Sequence, residues 1–278
     1  MEIVNLITSP FGIGEKLIQA LLKRGEPVYT IYPSPKDVPM SMLGKINFKY
    51  GFIRFDQECA IDKVMPRKAV NVYHIFDLYH GPNIKVFTAN TSTSLALYEW
   101  SKKAGVKQFI MLSSGEVYGQ GRGIRDNAGF NPRNFYATTK FQAELLSHFY
   151  RQFKIKVLRA FFPFGPGVEG YINRLAESIR AGQPQETEYG TISPTYADDL
   201  VEPLIRVRDT ELDGPVNLCG SSLPLNDLIK SIARIMKKDE TRIKTGNVEL
   251  TGDSQKARST LNYQETTIDT ALSATFGA

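Results

Sequence analysis

The strongest constraint on this chain is an alternation. Apolar, strand-length runs take turns with longer stretches whose apolar residues recur at helical spacing. Ile3-Val4-Asn5-Leu6-Ile7 reads as a buried strand. Gly14 to Lys23 reads as a helix, with Leu17, Ile18, Leu21 and Leu22 on one face and Gly25 ending it. Val28 to Tyr32 is a second strand, closed by the breakers of PSPKDVP. Asn47 to Phe55 and Val70 to Phe76 are a third and a fourth. Pro82 to Ala104 is a long helix and Gln108 to Ser113 a fifth strand. A glycine-rich loop, GEVYGQGRG, leads on to a helix over Phe135–Phe153 and a strand over Lys156–Ala160.

Strands separated by helices at this spacing predict a parallel, doubly wound α/β sheet of Rossmann type. Such sheets bind ligands beyond the carboxyl ends of their strands. Ser9 to Gly14, Ser113-Ser114 and Phe162 to Gly167 all fall just after predicted strands. Beyond residue 160 the pattern loosens. FFPFGPG is a turn-rich junction, Ile172 to Ala181 a helix, Tyr189 to Thr195 an extended connection and Ala197 to Arg206 a helix. Pro215 to Cys219 is a strand, Leu225 to Lys237 a helix, and the tail is mixed. The expected organisation is a nucleotide-binding domain over 1–163 and a small substrate-binding cap over 164–278, with segments around 194–220 returning to the main sheet.

The 278 residues suffice for a full core without disulfides or metal. Cys59 and Cys219 form no CxxC pair, which predicts a reducing compartment and a cytoplasmic protein. The N-terminus carries no basic segment and no long apolar run, so neither a signal peptide nor a membrane span is expected. The net charge of +5 is scattered, without the basic stripe and aromatic platforms of a nucleic-acid surface. His74, His80 and His148 lack metal-ligand spacing, and no metal site is expected.

The residues with chemistry cluster around Tyr136-Ala-Thr-Thr-Lys140. Residues four apart share a helix face. A free tyrosine titrates near 10 and is a poor base at neutral pH (about 10). A lysine ammonium one turn away, helped by a bound oxidised nicotinamide, would favour the phenolate. Lowering the tyrosine by roughly 3 units takes about 4 kcal/mol. Such a phenolate takes a hydroxyl proton while hydride leaves the same carbon. Alone, the motif equally describes an amphipathic helix with Tyr136 packed and Lys140 solvated. Ser113 and Ser114, ending the fifth strand just upstream, add a hydroxyl able to bind the same reacting oxygen.

Taken together, SSGEVYG and PRNFYATTKFQAE closely resemble the extended short-chain dehydrogenase/reductases, the NAD-dependent epimerase/dehydratase family. The resemblance spans nearly the whole chain. NTSTSLALYEWSKKAGVKQFIMLSS is similar to the family's stretch from central helix to fifth strand, LRAFFPFGPG to its LRxxNxYGPG junction, PTYADDL to its segment ending in VDD, and DGPVNLCGSSLPLNDLI to its NIGxG strand and following helix. It implies Tyr136 as acid/base, Lys140 as the cation that lowers its pKa and binds cofactor ribose, and Ser114 as the hydroxyl that orients substrate. It implies an NAD or NADP site drawn from Ser9, Phe11, Gly12, Ile13, Tyr32, Asp56, Phe76, Asn90, Ser113, Phe162 and Pro163 together with Tyr136 and Lys140. It also implies a sugar nucleotide as substrate and a homodimer.

Several segments depart from the family pattern. TGxxGxxG is replaced by Thr8-Ser-Pro-Phe-Gly-Ile-Gly14, keeping Gly12 and Gly14. No carboxylate follows Tyr32; Ser34 and Lys36 instead suit a 2′-phosphate. Asp56 matches the family's aspartate near adenine. Phe76 and Asp77 stand where small residues usually lie beside the cofactor, so their bulk narrows the pocket. Ile192 takes the place of an arginine that binds the substrate diphosphate, leaving Arg174, Arg180, Arg242 and Arg258 as substitutes. Glu116 falls where family dehydratases and decarboxylases carry the glutamate that removes an alpha proton, which implies a catalytic role, but Gly115 replaces its acidic or hydroxyl partner, and a loop residue whose side chain supports the turn is the alternative. The expectation is therefore NAD(P)-dependent epimerisation, with an NADPH-dependent ketoreductase or a dehydratase as alternatives. A non-catalytic dinucleotide sensor or scaffold is the alternative from another class.

Overall fold

The computed structural model describes residues 5–57, 61–238 and 243–277. Ile3, Val4, Cys59 and Arg242, which entered the sequence argument, lie outside them. Seven parallel strands form the central sheet. From one edge to the other they run Val216–Leu218, Lys154–Ala160, Gln108–Ser114, Asn71–His74, Asn5–Ile7, Val28–Tyr32 and Phe48–Phe52. The chain starts in the middle, winds outward to Phe48–Phe52, crosses back to Asn71–His74 and winds the other way. The direction switches between Asn5–Ile7 and Asn71–His74, where loops diverge and leave a crevice.

The strand residues explain the sheet. Leu6, Ile7, Val72, Tyr73, Phe109, Ile110 and Leu158 are fully buried. Both sheet faces are covered by helices, so these strands are apolar without alternation. The helix Ile13–Lys23 buries Leu17, Ile18 and Leu21 against the sheet. On the opposite face, the helix Thr93–Ala104 buries Leu97, Tyr98 and Trp100 with Phe109 and Met111.

The long helix expected over 82–104 is interrupted. Asn83–Phe87 and Thr93–Ala104 are α-helical, but Thr88–Ser92 is a π-helical turn. The helix expected over 135–153 stops at Ser147, whose hydroxyl donates to the Glu144 carbonyl at 2.6 Å. A turn then brings the buried Phe153 to the start of the next strand.

The second core is assembled from both halves of the sequence. A four-stranded sheet runs Leu223–Pro224, Gln185–Ile192, Ile243–Gly252 and Gly121–Ile124. The expected connection over 189–195 is thus largely a strand, and the mixed tail supplies a second strand and the helices Gln255–Leu261 and Ile268–Phe276. The helices Tyr171–Ala181 and Leu225–Met236 pack on this sheet, burying Ile172, Leu175, Leu228 and Ile232. No helix among the described residues is long and apolar enough to cross a membrane.

A buried ion pair ties the helix Phe135–Ser147 to the strand Lys154–Ala160. Arg159 and Glu144, both buried, meet in a bidentate pair with Nη2–Oε2 at 2.6 Å and Nε–Oε1 at 3.1 Å. The same guanidinium lies 4.9 Å from the Tyr118 ring centre and 4.7 Å from that of Phe130. Desolvation of two charges is offset only where geometry and extra hydrogen bonds are good, and here both are present.

Candidate functional site

A cavity of about 900 Å³ opens beyond the carboxyl ends of the central strands. One end is lined by Ser9, Phe11, Gly12 and Ile13, by Ser34 and Lys36, and by Arg54 and Asp56. The other is lined by Asp77, Tyr79, Ser114, Glu116, Tyr136 and Tyr171, with Phe76, Ser113, Phe162 and Pro163 on the walls. Of the predicted cofactor residues, Tyr32, Asn90 and Lys140 do not line it. The Tyr32 ring packs edge-on against Phe11, with centres 6.1 Å apart.

The first loop turns tightly. Gly12 sits at φ +52° as the cap of the helix Ile13–Lys23, with no side-chain hydrogen bond capping it. A Cβ on Gly12 would lie 2.7 Å from the Gly167 carbonyl oxygen, and one on Gly14 would lie 1.8 Å from that of Ser9. Only glycine admits these approaches at both positions. The result is an uncapped helix N-terminus facing the cavity, the usual setting for a phosphate. Ser113 Oγ, buried on the cavity wall, has no hydrogen-bond partner among the described residues. An orphaned buried hydroxyl of this kind calls for a ligand or water. Asp56 is held below the ordinary carboxylate range by its hydrogen bond to Arg54, at 3.0 Å, and by Lys85 at 3.6 Å.

Tyr136 stands near the start of the helix Phe135–Ser147, which Asn134 caps by accepting from the Ala137 N–H at 2.8 Å. Lys140 follows one turn later and is only 2% exposed, which excludes a solvated surface lysine. Its ammonium donates to the Leu112 carbonyl at 2.9 Å and lies 3.4 Å from Asp77 Oδ2. The Tyr136 hydroxyl donates to the same Asp77 oxygen at 2.6 Å. Lys140 by itself therefore does not lower Tyr136 in this structure. Burial, then the Asp77 and Glu116 carboxylates, hold its phenol well above the ordinary value, and Lys140 is occupied by Asp77. After burial, the largest part comes from the departure noted after the fourth strand: position 77 brings a carboxylate, not merely bulk, to the tyrosine.

Asn90 does not reach the cavity because it serves the loop behind it. Its Oδ1 accepts from the Leu78 N–H at 2.8 Å, and its Nδ2 donates to the Leu78 carbonyl at 3.1 Å and to Thr139 Oγ1 at 3.0 Å. The π-helical turn at Thr88–Ser92 places it there. Asn90 thereby fixes the residues on either side of Leu78, Asp77 and Tyr79, against the catalytic-type helix.

Ser114 ends its strand and accepts from the Glu116 N–H at 3.1 Å, closing the tight turn Gly115–Tyr118. Gly115 is required there, since a Cβ would lie 2.4 Å from the Phe161 ring. Glu116 is 3% exposed. Three donors converge on its Oε2: Asn134 Nδ2 at 2.8 Å, the Tyr189 hydroxyl at 3.2 Å and the Tyr79 hydroxyl at 3.5 Å. Burial nevertheless dominates and pushes its pKa up to about 7. Tyr79 also packs on Tyr136, with ring centres 4.6 Å apart. Asn134, Tyr79 and Tyr189 were not legible as site residues, because no motif marks them.

Ile192 is fully buried, and Arg174, Arg180 and Arg258 do not line the cavity. The cationic side chains that do, Lys36 and Arg54, belong to its far end. His74 is buried between Thr8 Oγ1, at 3.2 Å, and Ser94 Oγ, at 2.8 Å, and burial lowers it to about 3. Among the described residues no group of three or more His, Cys, Asp or Glu is placed to hold a metal.

Comparison with known proteins agrees with this architecture. The chain is 29% identical over 205 residues to a UDP-glucuronate 4-epimerase of Thermodesulfobacterium geofontis, covering 67% of this chain and 64% of that one. It is 26% identical over 189 residues to UDP-glucuronic acid decarboxylase 1 of Xenopus tropicalis, covering 60% and 44%. It thus spans less than two thirds of the length of these curated relatives. The solved UDP-glucuronic acid 4-epimerase from Bacillus cereus, in complex with NAD, shares the fold with a TM-score of 0.83. It is 23% identical, with 99% of this chain and 96% of that one covered. Residues 12–219 match the NAD dependent epimerase/dehydratase family. The chain belongs to the NAD dependent epimerase/dehydratase family.

Proposed function

We propose that the chain is an NAD-dependent epimerase of a sugar nucleotide, with Tyr136 as its acid/base. The observation that carries this reading is the convergence of Ser114, Glu116 and Tyr136 on one cavity that also opens on an uncapped, glycine-turned helix N-terminus. A dinucleotide fits the residues present. The backbone of Gly12 and Ile13 and the hydroxyl of Ser9 would hold its diphosphate, Asp56 would face the adenosine end, and Ser113 Oγ would gain a partner. Lys140 would reach a ribose hydroxyl once released from Asp77. The chemistry such a cofactor supplies when bound is acceptance and return of hydride at one carbon.

The chain's own residues do the rest. Ser114 donates to the substrate hydroxyl oxygen and fixes the carbinol carbon. Tyr136 removes the hydroxyl proton and returns it after the ring has turned its other face. Phe76, Phe162 and Pro163 wall the cavity and exclude water from the transient ketone. Glu116, neutral for much of the time near pH 7, positions Asn134, Tyr79 and Tyr189 around Tyr136. Without a second acid beside it at Gly115, elimination is disfavoured. No basic side chain of the described cap residues lines the substrate end, so the diphosphate of the substrate rests on backbone and hydroxyl donors. Ile84, Leu145 and Phe149, exposed on or beside the two helices 83–104 and 135–147, support a homodimer.

A second reading, a carbonyl reductase, is favoured by one observation: burial and Asp77 favour the phenol form of Tyr136, whose proton becomes available to a substrate oxygen once the Asp77 bond is released. Calorimetric titration with NAD⁺, NADH, NADP⁺ and NADPH tests the common core. Binding of NAD⁺ by both wild type and Tyr136→Phe, with turnover only in wild type, is expected. Binding of none of the four would overturn the proposal. Net consumption of reduced cofactor would select the reductase.

A further inference from the structure

Among the described residues, Asp77 is the one carboxylate hydrogen-bonded to the tyrosine. Its Oδ2 accepts from Tyr136 at 2.6 Å and lies 3.4 Å from the Lys140 ammonium. It follows the central strand Asn71–His74, and Asn90 clamps the next residue from the π-helical turn, so its place is built by the fold. We propose that Asp77 is a positioning residue that holds Tyr136 as a phenol and engages Lys140, so that the tyrosine becomes a base only after the Asp77 carboxylate is drawn away or neutralised. This goes beyond the functional reading above, which it modifies only by adding a step of release.

The charged and titratable groups around the phenol are few. Asp77 approaches from the loop after the strand Asn71–His74, Glu116 from the turn after the strand Gln108–Ser114, Tyr79 from the clamped loop and Lys140 from the tyrosine's own helix. The lysine is the only cation among these four. With Asp77 charged, its field is spent on the aspartate. With Asp77 removed as a charge, the same ammonium acts on the phenol, leaving Glu116 as the one opposing anion. The Asp77–Tyr136 bond also uses the phenol's only proton, so Tyr136 cannot donate to a substrate oxygen while the bond stands.

The test reads tyrosinate absorbance across pH 6 to 10 in the free protein, so it is independent of any turnover or cofactor. Wild type should gain no tyrosinate from Tyr136 in this range. Asp77→Asn should gain tyrosinate from Tyr136 by pH 10, up to one equivalent, with burial and Glu116 still opposing it. The double variant Asp77→Asn, Tyr136→Phe should lose that equivalent. Asp77→Glu, which keeps the charge, should restore the wild-type curve. Circular dichroism confirms that each variant is folded, and Asp77→Ala replaces Asp77→Asn if the latter fails. Superimposable titrations of wild type and the uncharged variants would overturn the proposal. That outcome would leave the epimerase reading standing, whereas failure to bind a nicotinamide would leave this one standing.

Discussion

Glu116→Gln is the perturbation with the most legible energy. The side chain is 3% exposed, and all three of its hydrogen bonds converge on Oε2. A proton on Oε1, or the amide nitrogen of glutamine in its place, leaves those bonds intact. What changes is the charge. Burial raises the carboxyl from an ordinary value near 4.5 to about 7. That rise corresponds to about 3 kcal/mol. The folded state then holds more protons than the unfolded state between these two values, so stability falls as pH climbs from about 4.5 to about 7 and is level above. Glutamine has no such dependence. Relative to wild type, Glu116→Gln should therefore gain about 3 kcal/mol between pH 4 and pH 8. At roughly 2 °C per kcal/mol for a chain of this size, that is about 6 °C in melting temperature. The assay is the melting temperature of both proteins across that range by calorimetry. Other titrating groups, His74 among them, cancel in the difference. A difference that stays constant from pH 4 to pH 8 would refute the reasoning, since it would mean that Glu116 is ionised in the fold without penalty.

Other perturbations follow from the same geometry. Gly12→Ala would force a Cβ to 2.7 Å from the Gly167 carbonyl at φ +52°; it should destabilise the protein by about 1–3 kcal/mol and abolish nicotinamide binding, checked by urea unfolding and calorimetry. Glu144→Leu should cost about 3 kcal/mol in urea unfolding by leaving the Arg159 guanidinium buried without its carboxylate. His74 contributes with the opposite sign to Glu116. Its folded value, about 3, lies below the ordinary 6.5, so stability is lost as pH falls through that window. His74→Gln should therefore flatten the acid limb of the melting profile.

What local pattern controls was legible in the sequence. Apolar runs, the glycines at 12 and 14 and the four-residue spacing of Tyr136 and Lys140 each state a local requirement, and the main sheet and the helix carrying the tyrosine follow from them. Order across the sheet is another matter, because strand neighbours such as Asn5–Ile7 and Asn71–His74 are set by packing far along the chain. The four-stranded sheet shows this most. Gly121–Ile124 pairs with Ile243–Gly252, and neither carries a strong strand signal. The polar environment of the site was hidden for the same reason. Glu116 takes its bonds from Asn134 and Tyr189, which are 18 and 73 residues away, and a burial-driven rise in pKa is written in neither. Asp77 was visible as a departure in size. Its partnership with Tyr136, across 59 residues, was not. Burial, and then a charge where the family pattern has small residues, raise the tyrosine that the motif taken alone would lower.

The most direct test of the central claim is proton NMR of UDP-glucose or UDP-glucuronic acid incubated in D₂O with NAD⁺ and the protein. The 4-epimer of at least one of them is expected, with no deuterium at C4 because hydride returns to the carbon it left, and no product with Tyr136→Phe. Deuterium at C4, or equal conversion by Tyr136→Phe, would contradict it.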